Sequence, residues 1–188
     1  MFYLFLLGCS NYSYNLYKKY FKIDVKCVIG YLIINLISIL YYYFNDNLDS
    51  ILFHLIIIHL FLSFIIDIKE MWIADYTVIS ILIINSIKGA LNYVYNCEIV
   101  YTGLIYIILF ILIILLLQFI LKKELMGFGD LKLLFVLSLN YSLIDVLMLL
   151  MFSSLIGIIY YYLFKKKNEF PFGPAIIIAY ILLEIIKN

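Results

Sequence analysis

The sequence predicts an all-α protein, a polytopic transmembrane helical bundle of about 6–7 membrane helices. Three observations carry that prediction. Of 188 residues, 67% are hydrophobic and 13% charged, with mean hydropathy +1.13, whereas a soluble domain is typically about 45–50% apolar and about 25% charged. Apolar runs recur along the chain at lengths approaching the roughly 20 residues that cross a bilayer. The lysines fall in alternate loops, as membrane topology demands.

The elements follow in order. The start, MFYLFLLGCS, is apolar but has no basic n-region and no small-residue cleavage site, so it is not read as a signal peptide. Its apolar part is too short to span, and a polar, lysine-bearing stretch follows to Lys26. Residues 1–26 are therefore taken as a short N-terminal apolar and cytoplasmic segment, and 27–188 as one membrane domain. Seven candidate helices are expected in it, at 27–44, 51–66, 76–94, 100–121, 131–140, 143–164 and 172–186. The fifth is too short to cross unaided and is expected to pack within protein.

Orientation comes from the lysines. They occupy 18–26, Lys69, Lys122, Lys123, Lys132 and Lys165–Lys167, while the loops 45–50, 96–99 and 140–145 carry none. The lysine-rich loops are cytoplasmic by the positive-inside rule, and only Lys88 and Lys187 fall toward the other side. A seven-helix count then puts the N-terminus inside and the C-terminus outside.

Composition also excludes. A net charge of +1 with no basic block leaves no signature of a nucleic-acid partner. Cys9, Cys27 and Cys97 are scattered and form neither a zinc motif nor a disulfide framework. His54 and His59, five apart on a helix, point about 140° from one another, which disfavours a metal site; no cofactor is expected. All 13 basic residues are lysine, which with abundant Ile, Asn and Tyr points to an AT-rich, bacterial genome.

Two carboxylates stand out. Asp67 lies where an apolar helix meets the loop in IIDIKEMWIADY, and Asp130 closes the GFGD of ELMGFGDLKLL. Both belong to the lysine-rich side, at the ends of different helices. An ionisable group at a membrane edge is costly unless solvated, paired or used. If the helices are neighbours, the two carboxyls converge; one then holds a proton near neutrality while the other stays anionic. Such a pair can activate water and protonate a scissile carbonyl, hydrolysing an amide without a covalent intermediate. Gly127 and Gly129 allow either positive φ or close approach of an extended substrate. The plainer reading of each motif is a solvated or capping Asp after turn glycines.

At these residues the sequence resembles the type IV prepilin peptidases, membrane aspartic proteases of the G-x-G-D class. Asp67, Lys69, Ile73 and Asp75 match the family's Asp, short basic loop and Ile-Pro-Asp; Gly127, Gly129, Asp130 and Lys132 match its Gly-x-Gly-Asp-x-Lys. FPFGPAIIIAY at 170–180 is similar to the Pro-Phe-Gly-Pro opening the last helix, and YFKIDVKCVIGYLI to the lead-in of the first core helix. The resemblance covers roughly residues 12–186. It implies Asp67 and Asp130 as the catalytic pair, with Gly127, Gly129, Lys132 and Asp75 binding substrate or supporting the site. It further implies cleavage of a short basic leader from type IV pilin-like precursors at the cytoplasmic face of the bacterial inner membrane, with lipid as the other partner. Ala74 departs from the family proline and is expected to loosen the loop after Asp67. The resemblance is to the family's shorter members, so peptidase activity is expected without the methyltransferase activity of a cysteine-bearing N-terminal region.

The remaining polar residues read as structure. Asn35, Asn85 and Gln118 are expected to hydrogen-bond between helices, and the tyrosines at 41–43 and 160–162 to form an aromatic belt. Lys165–Lys167 set topology and can meet anionic lipid, and Glu124 reads as a solvated loop acid, with tuning of the site near Asp130 as its other reading. Three other functions compete: a presenilin-like protease, which carries Tyr-Asp where Ile66-Asp67 stands; a proton-coupled transporter, which needs acids at the midplane and a repeat; and a non-catalytic assembly component.

Overall fold

The computed structural model describes residues 48–96, 102–163 and 171–187. All regular structure among them is helical: α1 Leu48–Glu70, α2 Asp75–Asn96, α3 Thr102–Leu121, α4 Phe128–Leu137, α5 Leu143–Leu163 and α6 Gly173–Lys187. The expected helix 27–44, Asn35, the tyrosines 41–43, the three cysteines and Lys165–Lys167 lie outside the described residues.

The all-α, membrane-type architecture is as expected, and six helices fall among the described residues. Three described helices are long and apolar enough to cross: Ile51–Glu70, Gly103–Leu121 and Leu143–Leu163. Polarity and length set the other three described helices apart. α2 has the length but carries Asp75, Asn85, Lys88, Asn92 and Asn96. α4 has only 10 residues, about 15 Å of helix against a hydrocarbon core of about 30 Å. α6, with 15 residues, is also short.

The short helices are those the bundle encloses. α4 packs against α2, α3 and α6, and α6 against α1, α4 and α5. Leu133 and Leu134 of α4 and Ile176, Ala179, Tyr180 and Leu183 of α6 are buried in the main core with Ile56 and Leu60 of α1. By contrast α3, which has no charged residue, shows Ile105, Leu109, Leu112, Leu116 and Phe119 outward, as a lipid-facing span does.

Local backbone and side-chain contacts set several of the helix ends. α5 opens on a capping box: the Ser142 N–H donates to Asp145 Oδ2 at 3.0 Å and the Asp145 N–H to Ser142 Oγ at 3.3 Å. α1 and α3 end on Met71 (φ 56) and Lys122 (φ 52), non-glycine residues in the left-handed region. Asn85 Nδ2 donates to the Val136 carbonyl at 2.8 Å, joining α2 to α4. Gln118 departs from expectation: its Nε2 donates to the Met126 carbonyl of the following loop at 2.8 Å. His59 Nδ1 bonds within its own helix, to the Leu55 carbonyl.

The two lysines that break the charge asymmetry are both ion-paired. Lys88 Nζ lies 3.8 Å from Glu184 Oε2, and Lys187 Nζ 2.8 Å from Asp145 Oδ2. Buried Glu184 also accepts the Tyr141 hydroxyl at 2.7 Å. These contacts fasten α6 to α2 and α5 at the end of the bundle remote from Asp67.

Candidate active site

The site is assembled from two helix ends. Asp67 does not lie at the helix–loop junction but within the last turn of α1, which continues to Glu70. The Met71 N–H donates to the Asp67 carbonyl at 3.0 Å, and the left-handed Met71 turns the chain out of the helix. Ile73 and Ala74 return to the bundle, both buried. Ala74 packs with Leu62, Ile65 and Ile66, and its carbonyl accepts the Thr77 N–H at 3.0 Å and hydroxyl at 2.7 Å. The expected looseness from the missing proline is therefore offset by burial and α2 capping.

Asp130 likewise sits inside a helix. α4 begins at Phe128, so Gly129 and Asp130 form its first turn and only Gly127 caps it, in extended conformation (φ −62, ψ 143). Neither glycine takes positive φ; of the two expected reasons for glycine, the conformational one fails. Space is the reason. A Cβ at Gly127 would stand 3.2 Å from Asp130 Oδ2, and one at Gly129 would stand 3.2 Å from Ile73 Cβ.

A third helix end joins the two. Gly173, the first residue of α6, lies directly on Asp67: a Cβ there would stand 2.5 Å from Asp67 Oδ2 and 3.1 Å from Ile73 Cδ1. Ile73 is thus wedged between Gly129, next to Asp130, and Gly173, next to Asp67. That continuous contact brings Asp67 and Asp130 to one end of the bundle and one neighbourhood.

The environment of the two acids is largely apolar. Asp67 is 4% exposed, and its Oδ2 has no hydrogen-bond partner among the described residues. Gly173 lies against the same carboxyl. Asp130 lines a cavity of about 460 Å³ with Gly127, Met126, Leu134, Leu150 and Phe172. Burial pushes its carboxyl up to about 7, and the charge of Asp67 acts in the same direction. A carboxyl so placed keeps its proton near neutrality, as one member of an acid–base pair must.

Asp75 and Lys132 meet each other instead of the pair. Lys132 Nζ lies 2.8 Å from Asp75 Oδ1 and over the Phe128 ring, 5.3 Å from its centroid. Glu124 is exposed in its loop. No group of three or more His, Cys, Asp or Glu that could hold a metal occurs among the described residues.

A model of the type IV leader peptidase family matches residues 54–162, more than half of the chain, including every residue of the two acidic motifs. The chain belongs to that family. Searches of curated proteins and of solved structures returned no match. Membership in the type IV leader peptidase family gives the protein a leader-peptidase-like, peptide-bond-hydrolysing function in general terms. Two residues that shape the neighbourhood, Ile73 and Gly173, received no role from sequence reasoning. For Gly173 a signal was present, because it lies in the FPFGPAIIIAY stretch that is similar to the opening of the family's last helix.

Proposed function

We propose that the protein is a membrane aspartic endopeptidase removing the short leader of type IV pilin-like precursors at the cytoplasmic face of the bacterial inner membrane. The observation that carries the reading is that Asp130, raised to about 7 in a mainly apolar cavity, feels the charge of Asp67 from a different helix. In this reading Asp130 holds the proton and Asp67 is the anion. Asp67, with acceptor capacity to spare on Oδ2, takes a proton from water as that water attacks the scissile carbonyl. Asp130 donates its proton to the carbonyl oxygen, and the tetrahedral intermediate collapses with a proton passing to the leaving amine.

Supporting roles fall to the motif neighbours. Gly127 and Gly129 let the first turn of α4 lie close to Asp130 and Ile73, and the Asp75–Lys132 pair holds α2 to α4 beside the acids. The reading retains a membrane domain over 27–188 of six to seven membrane helices, preceded by the segment 1–26, with lysine-rich loops in the cytoplasm. The short α4 and α6 are carried inside that bundle.

The test is cleavage of a co-expressed pilin-like precursor in membranes. Asp67→Asn and Asp130→Asn should each abolish leader release. Asn keeps the volume but neither accepts the water's proton as a carboxylate does nor donates an acid proton. Each single loss should cost nearly as much as both together, because the pair acts as a unit. Chelators should leave the wild type active. Near-wild-type cleavage by either folded, inserted variant would refute the aspartic mechanism and favour a non-catalytic assembly role.

A further inference from the structure

The start of α6 is arranged so that one particular main-chain donor meets Asp67. A helix leaves its first N–H groups without intrahelical acceptors. Here Pro174 has no N–H, while those of Ala175 and Ile176 both donate to the Phe172 carbonyl, at 3.0 and 3.2 Å. That leaves the N–H of Gly173, the residue that lies against the Asp67 carboxyl. The side-chain position is equally constrained. A Cβ on Gly173 would lie 2.5 Å from Asp67 Oδ2 and 3.2 Å from its Cγ, inside the contact distance of real side chains.

We propose that Gly173 is a positioning residue for the acid pair: its main-chain N–H holds the Asp67 carboxylate, and its lack of a side chain admits that carboxylate to the start of α6. The assignment rests on the aspartic-peptidase reading above. Gly173 touches neither Asp130 nor substrate in this account and acts through Asp67. A glycine kept merely for helix packing would affect folding; one that holds the base must affect turnover and its pH dependence.

The groups facing Asp67 are few, which makes the pH readout interpretable. α4 presents Asp130, and α2 presents Asp75, already paired to Lys132, together with the Tyr76 ring packed on the cluster containing Ile66. The first turn of α6 carries no ionisable side chain, and on α1 itself Lys69 and Glu70 are exposed.

Gly173→Ala should lower kcat for precursor cleavage on the order of 10²-fold, the scale of a misplacement near 1 Å, with KM barely changed. Loss of a donor to a carboxylate disfavours its anion, so the low-pH limb of the rate profile should move to higher pH. Because the new methyl also meets Ile73 Cδ1, at 3.1 Å, the double variant Gly173→Ala/Ile73→Val leaves the carboxylate as the principal clash and should show the same kinetic defect. The wild type provides a measurement independent of mutant folding. With only 8 glycines in the chain, selective ¹⁵N-glycine labelling should reveal a Gly173 amide that shifts with pH and stops shifting in Asp67→Asn. A folded Gly173→Ala protein with wild-type kcat and pH profile, or a Gly173 amide indifferent to Asp67, overturns the assignment. Inactive aspartate variants beside a fully active Gly173→Ala refute the role of Gly173 alone, whereas active aspartate variants refute the peptidase mechanism.

Discussion

Lys132 Nζ lies 2.8 Å from Asp75 Oδ1, so the last element of one acidic motif is tied to the last element of the other. The two side chains are 41% and 71% exposed, and such surface pairs contribute about 0–1 kcal/mol. Asp75→Asn and Lys132→Gln should therefore retain substantial cleavage, and their thermal stability should stay within a few degrees of wild type. Complete loss of activity in Asp75→Asn, with folding intact, would give Asp75 a chemical role that its geometry does not indicate.

Asp130 predicts both an activity profile and a stability profile. Its carboxyl is raised from 3.8 to about 7 by burial and then by the Asp67 charge. The native state thus binds more protons than the unfolded state between those values, so stability falls as pH rises through that window and levels off above it. Asp130→Asn removes the penalty. It should melt above the wild type at pH 8, by roughly 3–8 °C, with the gap closing toward pH 4. Wild-type cleavage should decline above about pH 7 as Asp130 loses its proton. An Asp130→Asn protein no more stable than wild type at pH 8 would contradict this environment.

The two glycines of GFGD should behave differently. At Gly127 a methyl crowds only the Asp130 carboxylate, at 3.2 Å, so Gly127→Ala should reduce cleavage more than stability. At Gly129 the methyl meets the branched Cβ of Ile73 and its main-chain N, at 3.2 and 3.5 Å. Gly129→Ala should cost about 1–3 kcal/mol, as overpacking does, less whatever the better helix former returns. Paired melting and turnover measurements would reveal the contrast; equal effects on both quantities at both positions would refute it.

Met71 and Lys122 hold left-handed backbone where glycine is favoured, at φ 56 and φ 52. Both side chains are exposed, so replacement by glycine should relieve about 1 kcal/mol of strain and raise the melting temperature slightly. Unchanged or lowered stability in Met71→Gly would mean that its side chain is held by contacts worth more than the strain.

Much of the molecule was legible in linear form because the properties concerned are local or additive. Hydropathy marks helices whether or not their partners are known. The spacing of Asp67–Asp75 and Gly127–Lys132 carries the family motifs, which need no coordinates to be matched. Helix ends were read one turn wrong at both acids, since Asp67 and Asp130 are polar residues that a hydropathy boundary excludes while the backbone hydrogen bonds continue through them. How many helices cross the membrane is not legible in apolar runs, because burial inside a bundle and exposure to lipid select the same residue types. Only the tertiary structure could show that Ile73 is wedged between Gly129 and Gly173, that Lys88 and Lys187 are paired with Glu184 and Asp145, and that the start of α6 meets Asp67. Each is a contact between residues far apart in the chain, decided by shape and by where a methyl group has no room, and neither hydropathy nor spacing encodes that.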